Sequence, residues 1–391
     1  MKICEAEGCN VKFIPNTHNQ KYADPRCRKD LDACAEDKIC RYRLESGEFP
    51  VEEDPLDGVK PDNEYELRAA YNKLVSEYVK LKNKKDDLAE AVYQAVSHEV
   101  SDLDFPKVPA PKKDRRTKGE EVAVAVLSDW QLAKVTPTYN SEICEQRVNL
   151  FADKVIHLTN IQREDHPVKS VHVWILGDIV EGELIFPGQS FLIDGSLYRQ
   201  VTVDGPRIMS SFLKKMLENF DTVHVSAVIG NHGAVGGKTR RDHDPETNAD
   251  RMLYRIMSLI FESEPRITFD IPDGSGERNW YLIDRIGSYS CLLCHGDQFR
   301  SFGSFYPFQK KIYGWKVGAV EEEFQDVFLG HWHTPTKMTF NTVQCRIAGS
   351  TESTNTYAIE SLAAVGRPSQ HLQFVHPEKG MVTAEYTCWL D

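Results

Sequence analysis

From residue 122 to the end, the sequence predicts an α/β fold. Short apolar segments alternate there with amphipathic ones, the pattern of strands linked by helices with much parallel pairing. Five of the apolar segments end on a small residue beside Asp, Asn or His. Hydrophobic residues make up 41% of the 391-residue chain, enough for a well-buried core.

The strand candidates are Val122–Leu127, Val171–Leu176, Val223–Ile229, Ser290–Cys294, Val327–Leu329 and Val343–Ala348. Between them, Cys144, Val148, Phe151, Val155 and Leu158 share one helical face, and Ile208, Phe212 and Met216 share another. Cys291 and Cys294 form a C-x-x-C, but inside an apolar strand they read as core.

Upstream, composition divides the chain further. Residues 1–45 hold five of the ten cysteines, and residues 46–63 are a Pro-, Gly- and acid-rich linker. Residues 64–103 form a helix in which Leu67, Tyr71, Leu74, Tyr78, Leu81, Lys85, Leu88, Val92 and Ala95 make a heptad seam. That seam, within residues 64–100, suits packing on the α/β domain that follows, a partner helix or a homodimer. Residues 104–121 are a Pro-rich, basic linker, either solvated or in contact with a phosphate backbone.

A net charge of -12 argues against a protein that binds nucleic acid over its whole surface, though not against a local basic patch. No apolar run reaches membrane-spanning length and the start lacks an apolar signal region, which predicts a cytoplasmic protein with no membrane partner. In that compartment clustered cysteines point to metal rather than disulfides.

The chemistry lies at the strand ends. They read Ser128-Asp129-Trp130-Gln131, Gly177-Asp178, Gly230-Asn231-His232, His295-Gly296-Asp297 and Gly330-His331-Trp332-His333. In parallel α/β sheets such positions gather on one rim. Carboxylate, imidazole and amide oxygen together suit borderline divalent ions: Mn first, with Fe, Zn or Mg as alternatives. Two such ions can clamp a phosphate and generate a hydroxide nucleophile between them.

This ordered set resembles the calcineurin-like metallophosphoesterase signature, D-x-H, G-D, G-N-H, H-G and G-H-x-H, over about 270 residues. Within that superfamily the chain looks closest to the branch of Mre11 and SbcD-type nucleases, although its accessory parts differ. The resemblance implies two packed mixed β-sheets flanked by helices, with the site on one edge. It implies that Asp129, Gln131, Asp178 and His333 hold one ion, and that Asp178, Asn231, His295 and His331 hold the other. His232 would protonate the leaving oxygen or stabilise developing charge.

Two positions depart from the family. Gln131 stands where His is usual, which weakens the first ion's ligand set. Gly233 stands where an acid often orients the catalytic His, a role that Asp242 or Asp244 could fill.

Beyond the rim, Lys238, Arg240 and Arg241 follow His232 closely and are candidate contacts to a phosphodiester backbone. Near the start, Cys4, Cys9 and Cys27 resemble part of a treble-clef-like zinc finger, with His18, Cys34 or Cys40 as the fourth ligand to a structural zinc. The function expected is a two-metal phosphodiester hydrolase acting on nucleic acid. The alternatives are a phosphoesterase for small nucleotides or phosphoproteins, and a non-catalytic nucleic-acid-binding or scaffold protein.

Overall fold

The computed structural model describes residues 108–391, apart from 184, 187, 236–243, 274–278, 300–304 and 355–365, together with two short strands near the start. Those two, Lys2–Ile3 and Lys12–Phe13, pair antiparallel within a unit spanning Met1–Leu81. The zinc-module ligands Cys4, Cys9, His18 and Cys27, the heptad helix and the cationic loop Lys238, Arg240 and Arg241 lie outside the described residues.

The described part of the second unit, Lys82–Asp391, is α/β with two mixed sheets flanked by helices. Its first sheet contains β1 (Glu121–Leu127), β2 (Val168–Ile175), β3 (Thr222–Ala227) and β4 (Ile267–Asp270), all parallel. The second contains β5 (Tyr281–Ile286), β6 (Tyr289–Cys294), β7 (Asp326–Leu329), β8 (Thr336–Phe340) and β9 (Val343–Ile347), in the order β8-β9-β7-β6-β5. The chain then returns to the first sheet with β10 (Ser369–His376) and β11 (Met381–Trp389). This completes the order β11-β10-β1-β2-β3-β4, with β10 antiparallel to β1.

The period-two alternation of β1 sorts its side chains between two cores. Ala123, Ala125 and Leu127 face helices, whereas Val122, Val124 and Val126 enter the layer between the sheets. Trp174, Leu293 and Phe328 fill the same intersheet layer, and Trp174 meets Phe328 edge-on. Cys291 and Cys294 are free and buried. Three residues apart on a strand, they point to opposite faces, one into the intersheet layer and one outward.

Three helices cover the outer face of the first sheet: α1 (Ser141–Arg163), α2 (Gly205–Asn219) and α3 (Ala249–Ile260). The side chain of Asn140 caps α1. The apolar face of α1 comprises Cys144, Val148, Phe151 and Val155, all buried, with Leu158 partly buried. In α2, Ile208, Phe212 and Met216 are buried, and Phe212 stacks on Phe151. A fourth helix, α4 (Phe305–Gly314), packs Phe308 and Ile312 against the second sheet.

The basic linker is described from residue 108. Arg116 pairs with Asp114 and donates to the carbonyl of Arg163 at the end of α1, while Lys112, Lys113, Arg115 and Lys118 are exposed. This segment enters at the amino end of β1, away from the rim where the strand-end motifs collect. No helix among the described residues is long and apolar enough to cross a membrane.

Candidate metal centre

The carboxyl ends of β1, β2 and β3 deliver Asp129, Asp178 and Asn231 from one sheet. Those of β6 and β7 deliver His295, His331 and His333 from the other. Getting the side chains there requires abrupt turns. Asp129, Gln131, Asp178, His331 and His333 all have positive φ, between 44° and 68°. For residues bearing a Cβ that conformation costs roughly 1–2 kcal/mol each, and it clusters where surrounding structure imposes it. Five of the eight non-glycine residues with positive φ among those described are thus predicted metal ligands.

Glycines permit the close approach of the loops. A Cβ on Gly230 would lie 2.1 Å from Asp178 Oδ1, and one on Gly177 would lie 2.4 Å from the backbone nitrogen of Gly230. Buried Asp250, in the first turn of α3, binds these loops together. Its Oδ2 accepts from the N–H groups of Asp178 and Gly230, both at 2.9 Å, and its Oδ1 accepts from Ile179 at 3.0 Å and Val180 at 3.1 Å. Asn248, the cap of α3, adds a hydrogen bond from its amide to the Gly230 carbonyl at 2.9 Å. We predict that Asp250→Ala, which orphans four backbone donors, lowers unfolding free energy by at least about 3 kcal/mol. Urea denaturation reads this directly, and a loss below about 1 kcal/mol would contradict the role.

Four of the predicted ligands converge. His295 Nε2 lies 3.0 Å from Asp178 Oδ2, 3.1 Å from Asn231 Oδ1 and 3.2 Å from His331 Nδ1. Asp178, His295 and His331 meet the spacing expected around one ion. Asp129 lies beside them, accepting from the His331 N–H at 3.0 and 2.9 Å, and its Oδ1 is 3.2 Å from His333 Nε2.

The supporting hydrogen bonds suit coordination. His295 Nδ1 is 2.7 Å from the Leu176 carbonyl, and His333 Nδ1 is 2.8 Å from Glu352 Oε1. Each fixes Nδ1 as the donor and turns Nε2 toward the carboxylates, as partners behind metal ligands do. The donor set therefore fits a divalent cation.

Electrostatics agree. Burial opposes charge on His295 and His333. It is outweighed by Asp178 for His295 and by Glu352 and Asp129 for His333, so both are pushed up to about 10. Burial and the charge of His295 push His331 down to about 4. Asp178 is held well below the carboxylate range, because the nearby imidazoles overcome its burial. A cation must displace these protons. We therefore predict that metal uptake at neutral pH releases protons, measurable as a buffer-dependent heat in titration calorimetry; a heat independent of buffer would contradict it.

The position of Gln131 differs from that of a simple ligand. Its amide nitrogen is 3.3 Å from His333 Nε2, and its oxygen accepts from Lys134 Nζ. Lys134 also pairs with Glu352 at 2.6 Å and lies 3.9 Å from Glu181. Burial would lower its pKa, but Glu352 and Glu181 hold it up, so a fixed positive charge borders this side of the centre.

His232 does not converge with the ligands; it stands beside them. Its N–H donates to Asp178 Oδ1 at 2.7 Å, and its Nε2 is 4.0 Å from Asp178 Oδ2. Its Nδ1 lies 2.9 Å from the Glu181 carbonyl and 3.2 Å from Glu181 Oε2. For Asp244 this corrects the expectation that it orients His232. Asp244 instead caps a short turn at Glu246, and Asp242 lies outside the described residues. Gly233 cannot be an acid here, because a Cβ would lie 2.4 Å from Asn248 Oδ1. The sequence signal for Glu181 was its place three residues after Asp178. Asp250, Glu352 and Lys134 carried no such signal.

No protein-family model and no curated protein matches this sequence. Among solved structures the chain is similar to a novel archaeal phosphodiesterase, at 12% identity and a TM-score of 0.30, over 68% of this chain and 99% of that one. It is also similar to vacuolar protein sorting 29 from Cryptosporidium parvum, at 13% identity and a TM-score of 0.32, over 68% and 99% of the two chains. A third is Vps29 from Entamoeba histolytica complexed with Zn²⁺, at 13% identity and a TM-score of 0.29, over 68% and 98%.

Proposed function

We propose that residues 122–391 form a metal-dependent phosphodiester hydrolase that acts on nucleic acid. The observation that carries this reading is the convergence of Asp178, Asn231 and His331 on His295 Nε2, with His232 held alongside. Asp178, Asn231, His295 and His331 would hold one divalent ion; Asp129, His333 and Gln131, with Asp178 shared, would hold another. Such ions supply charge neutralisation for a phosphate and a water made acidic enough to attack it.

The chain's own residues do the rest. Ser128, Asp250 and the Leu176 carbonyl fix the carboxylates and imidazoles in place. Glu181 binds His232 Nδ1, which leaves Nε2 as the atom facing the rim to give its proton to the departing oxygen.

Nucleic acid is the substrate favoured by two features. Lys238, Arg240 and Arg241 follow His232 in sequence. The segment after Glu181 carries unusually exposed aromatic groups, with Phe191 90% and Tyr198 68% exposed. Its Leu192 carbonyl accepts from the Val135 N–H, four residues after Gln131, and exposed rings on such a segment would suit the stacking of bases. The test is a panel of labelled DNA, RNA and small diesters with Mn²⁺, Mg²⁺ or Zn²⁺. Cleavage of a polynucleotide at least about tenfold faster than of a small diester supports the reading, by the scale of one stacked base. Turnover of small esters alone, unaffected by deleting residues 1–120, would replace it with the small-substrate alternative.

Gln131 and Lys134 favour a second reading, in which the first ion is weakly held and the protein binds rather than cleaves. We predict that Gln131→His, an imidazole in place of a neutral amide, raises the metal retained after dialysis toward two ions per chain. Unchanged metal content would show that residue 131 does not limit that position.

A further inference from the structure

The two sheets are joined far from the rim by a cluster that phosphoester chemistry does not use. His172 of β2 and His224 of β3 are partners in register, so both leave the same face of the first sheet. That face is the intersheet one, since Trp174, two residues after His172, lies in the layer between the sheets. Asp284 of β5 reaches the same place from the second sheet, and its side chain is only 4% exposed.

One oxygen of Asp284 is satisfied: Oδ2 lies 2.6 Å from His172 Nδ1 and accepts from Trp174 Nε1. The other is placed differently. Oδ1 faces His224 Nε2 across 3.7 Å, too far for a hydrogen bond. His224 Nδ1 is 2.8 Å from Thr268 Oγ1, so with Nδ1–H given to the hydroxyl, Nε2 turns a lone pair toward the carboxylate. In that tautomer two acceptors face each other across 3.7 Å, an arrangement that a cation between them would relieve. Asp270 of β4 adds negative charge near His224. One donor atom from each of His172, His224 and Asp284 lies within 4.8 Å of the other two.

We propose that His172, His224 and Asp284 form a zinc site that braces the two sheets, distinct from the phosphoester centre. Two imidazole nitrogens and one carboxylate oxygen are a zinc donor set, and a fourth position opens to solvent past His224, whose side chain is 31% exposed. Burial and the neighbouring imidazole keep His224 below the ordinary histidine range, which leaves it neutral. Asp284 stays ionised because His172 and Trp174 outweigh its burial. Zinc at His172 Nδ1 would replace the hydrogen bond from that nitrogen to Asp284, with the ring proton carried on Nε2. The strand runs about 10 Å on from His172 to its end at Ile175, short of the turn that carries Asp178, and the two groups of candidate ligands share no residue.

Equilibrium dialysis of the full chain against Zn²⁺ tests this, with His224→Gln and Asp284→Asn as variants. Each variant is expected to bind about one ion fewer than the unaltered protein and to lose the corresponding zinc-dependent rise in melting temperature. Mn²⁺-dependent ester hydrolysis should be unchanged. Equal zinc content in all three proteins overturns the proposal, as does a loss of zinc that removes hydrolysis with it, because the missing ion would then belong to the rim. Zinc-edge anomalous scattering from soaked crystals of the unaltered protein needs no variant: a peak among the three side chains supports the site, and its absence there refutes it.

Discussion

Replacing Asp178 with Asn should lower kcat/KM for phosphodiester cleavage by at least about a thousandfold, with the fold unchanged by circular dichroism. The substitution keeps the shape of the side chain and removes its charge. Asp178 is buried, sits 3.0 Å from His295 Nε2, and accepts the His232 N–H at 2.7 Å. It is the carboxylate assigned to both ions, so losing its charge weakens both positions together. Metal-derived stabilisation of several kcal/mol is at stake, and each 1.36 kcal/mol is tenfold in rate. Metal content should fall alongside activity. Kinetics within tenfold of the unaltered enzyme would remove Asp178 from the mechanism.

A second large effect is expected for His232→Asn, with kcat down by about 10²–10⁴ and metal content unchanged. Two contrasts separate this from the loss of Asp178. First, a p-nitrophenolate leaving group, which needs little proton donation, should suffer less than an alkoxide or a nucleoside hydroxyl. Second, pH dependence should change. Burial disfavours the charged imidazole of His232, but Asp178 and Glu181 outweigh it and push its pKa up to about 9. His232 is therefore protonated at neutral pH and becomes a poorer donor as pH rises. Cations bound at Asp178 would oppose that proton, so the alkaline limb of kcat/KM should begin below about 9. The variant should lack that limb. A limb that persists in it, or equal losses for both leaving groups, would assign the proton to another residue.

The strand ends were legible because each coupled an apolar run to a small residue and then to a ligand type, a local pattern. Much of the rest is not local. β10 carries Ser369, Gln370 and Gln373, all buried, which break the apolar alternation that marks a strand. The Gln370 amide earns its burial by bonding the Ser128 N–H at 2.8 Å and the Ser128 carbonyl at 2.9 Å, contacts 242 residues apart. Asp250 is similar: its partners at 178–180 and 230 meet it only in the folded chain. The roles of Glu352 and Lys134 likewise depend on β7 bringing His333 beside the loop after β1. By contrast, α3 was readable from Leu253, Tyr254 and Met257 behind an Asn248 cap, and it shows how a helical face is overlooked beside stronger motifs.

The most direct measurement is turnover of bis(p-nitrophenyl) phosphate by the full chain, stripped by chelation and titrated with Mn²⁺ while bound metal is counted. Hydrolysis that is absent in the stripped protein and appears as ions fill the Asp178 rim is the predicted result. Turnover indifferent to chelation, or a fully loaded rim that hydrolyses neither this diester nor a polynucleotide, would contradict it.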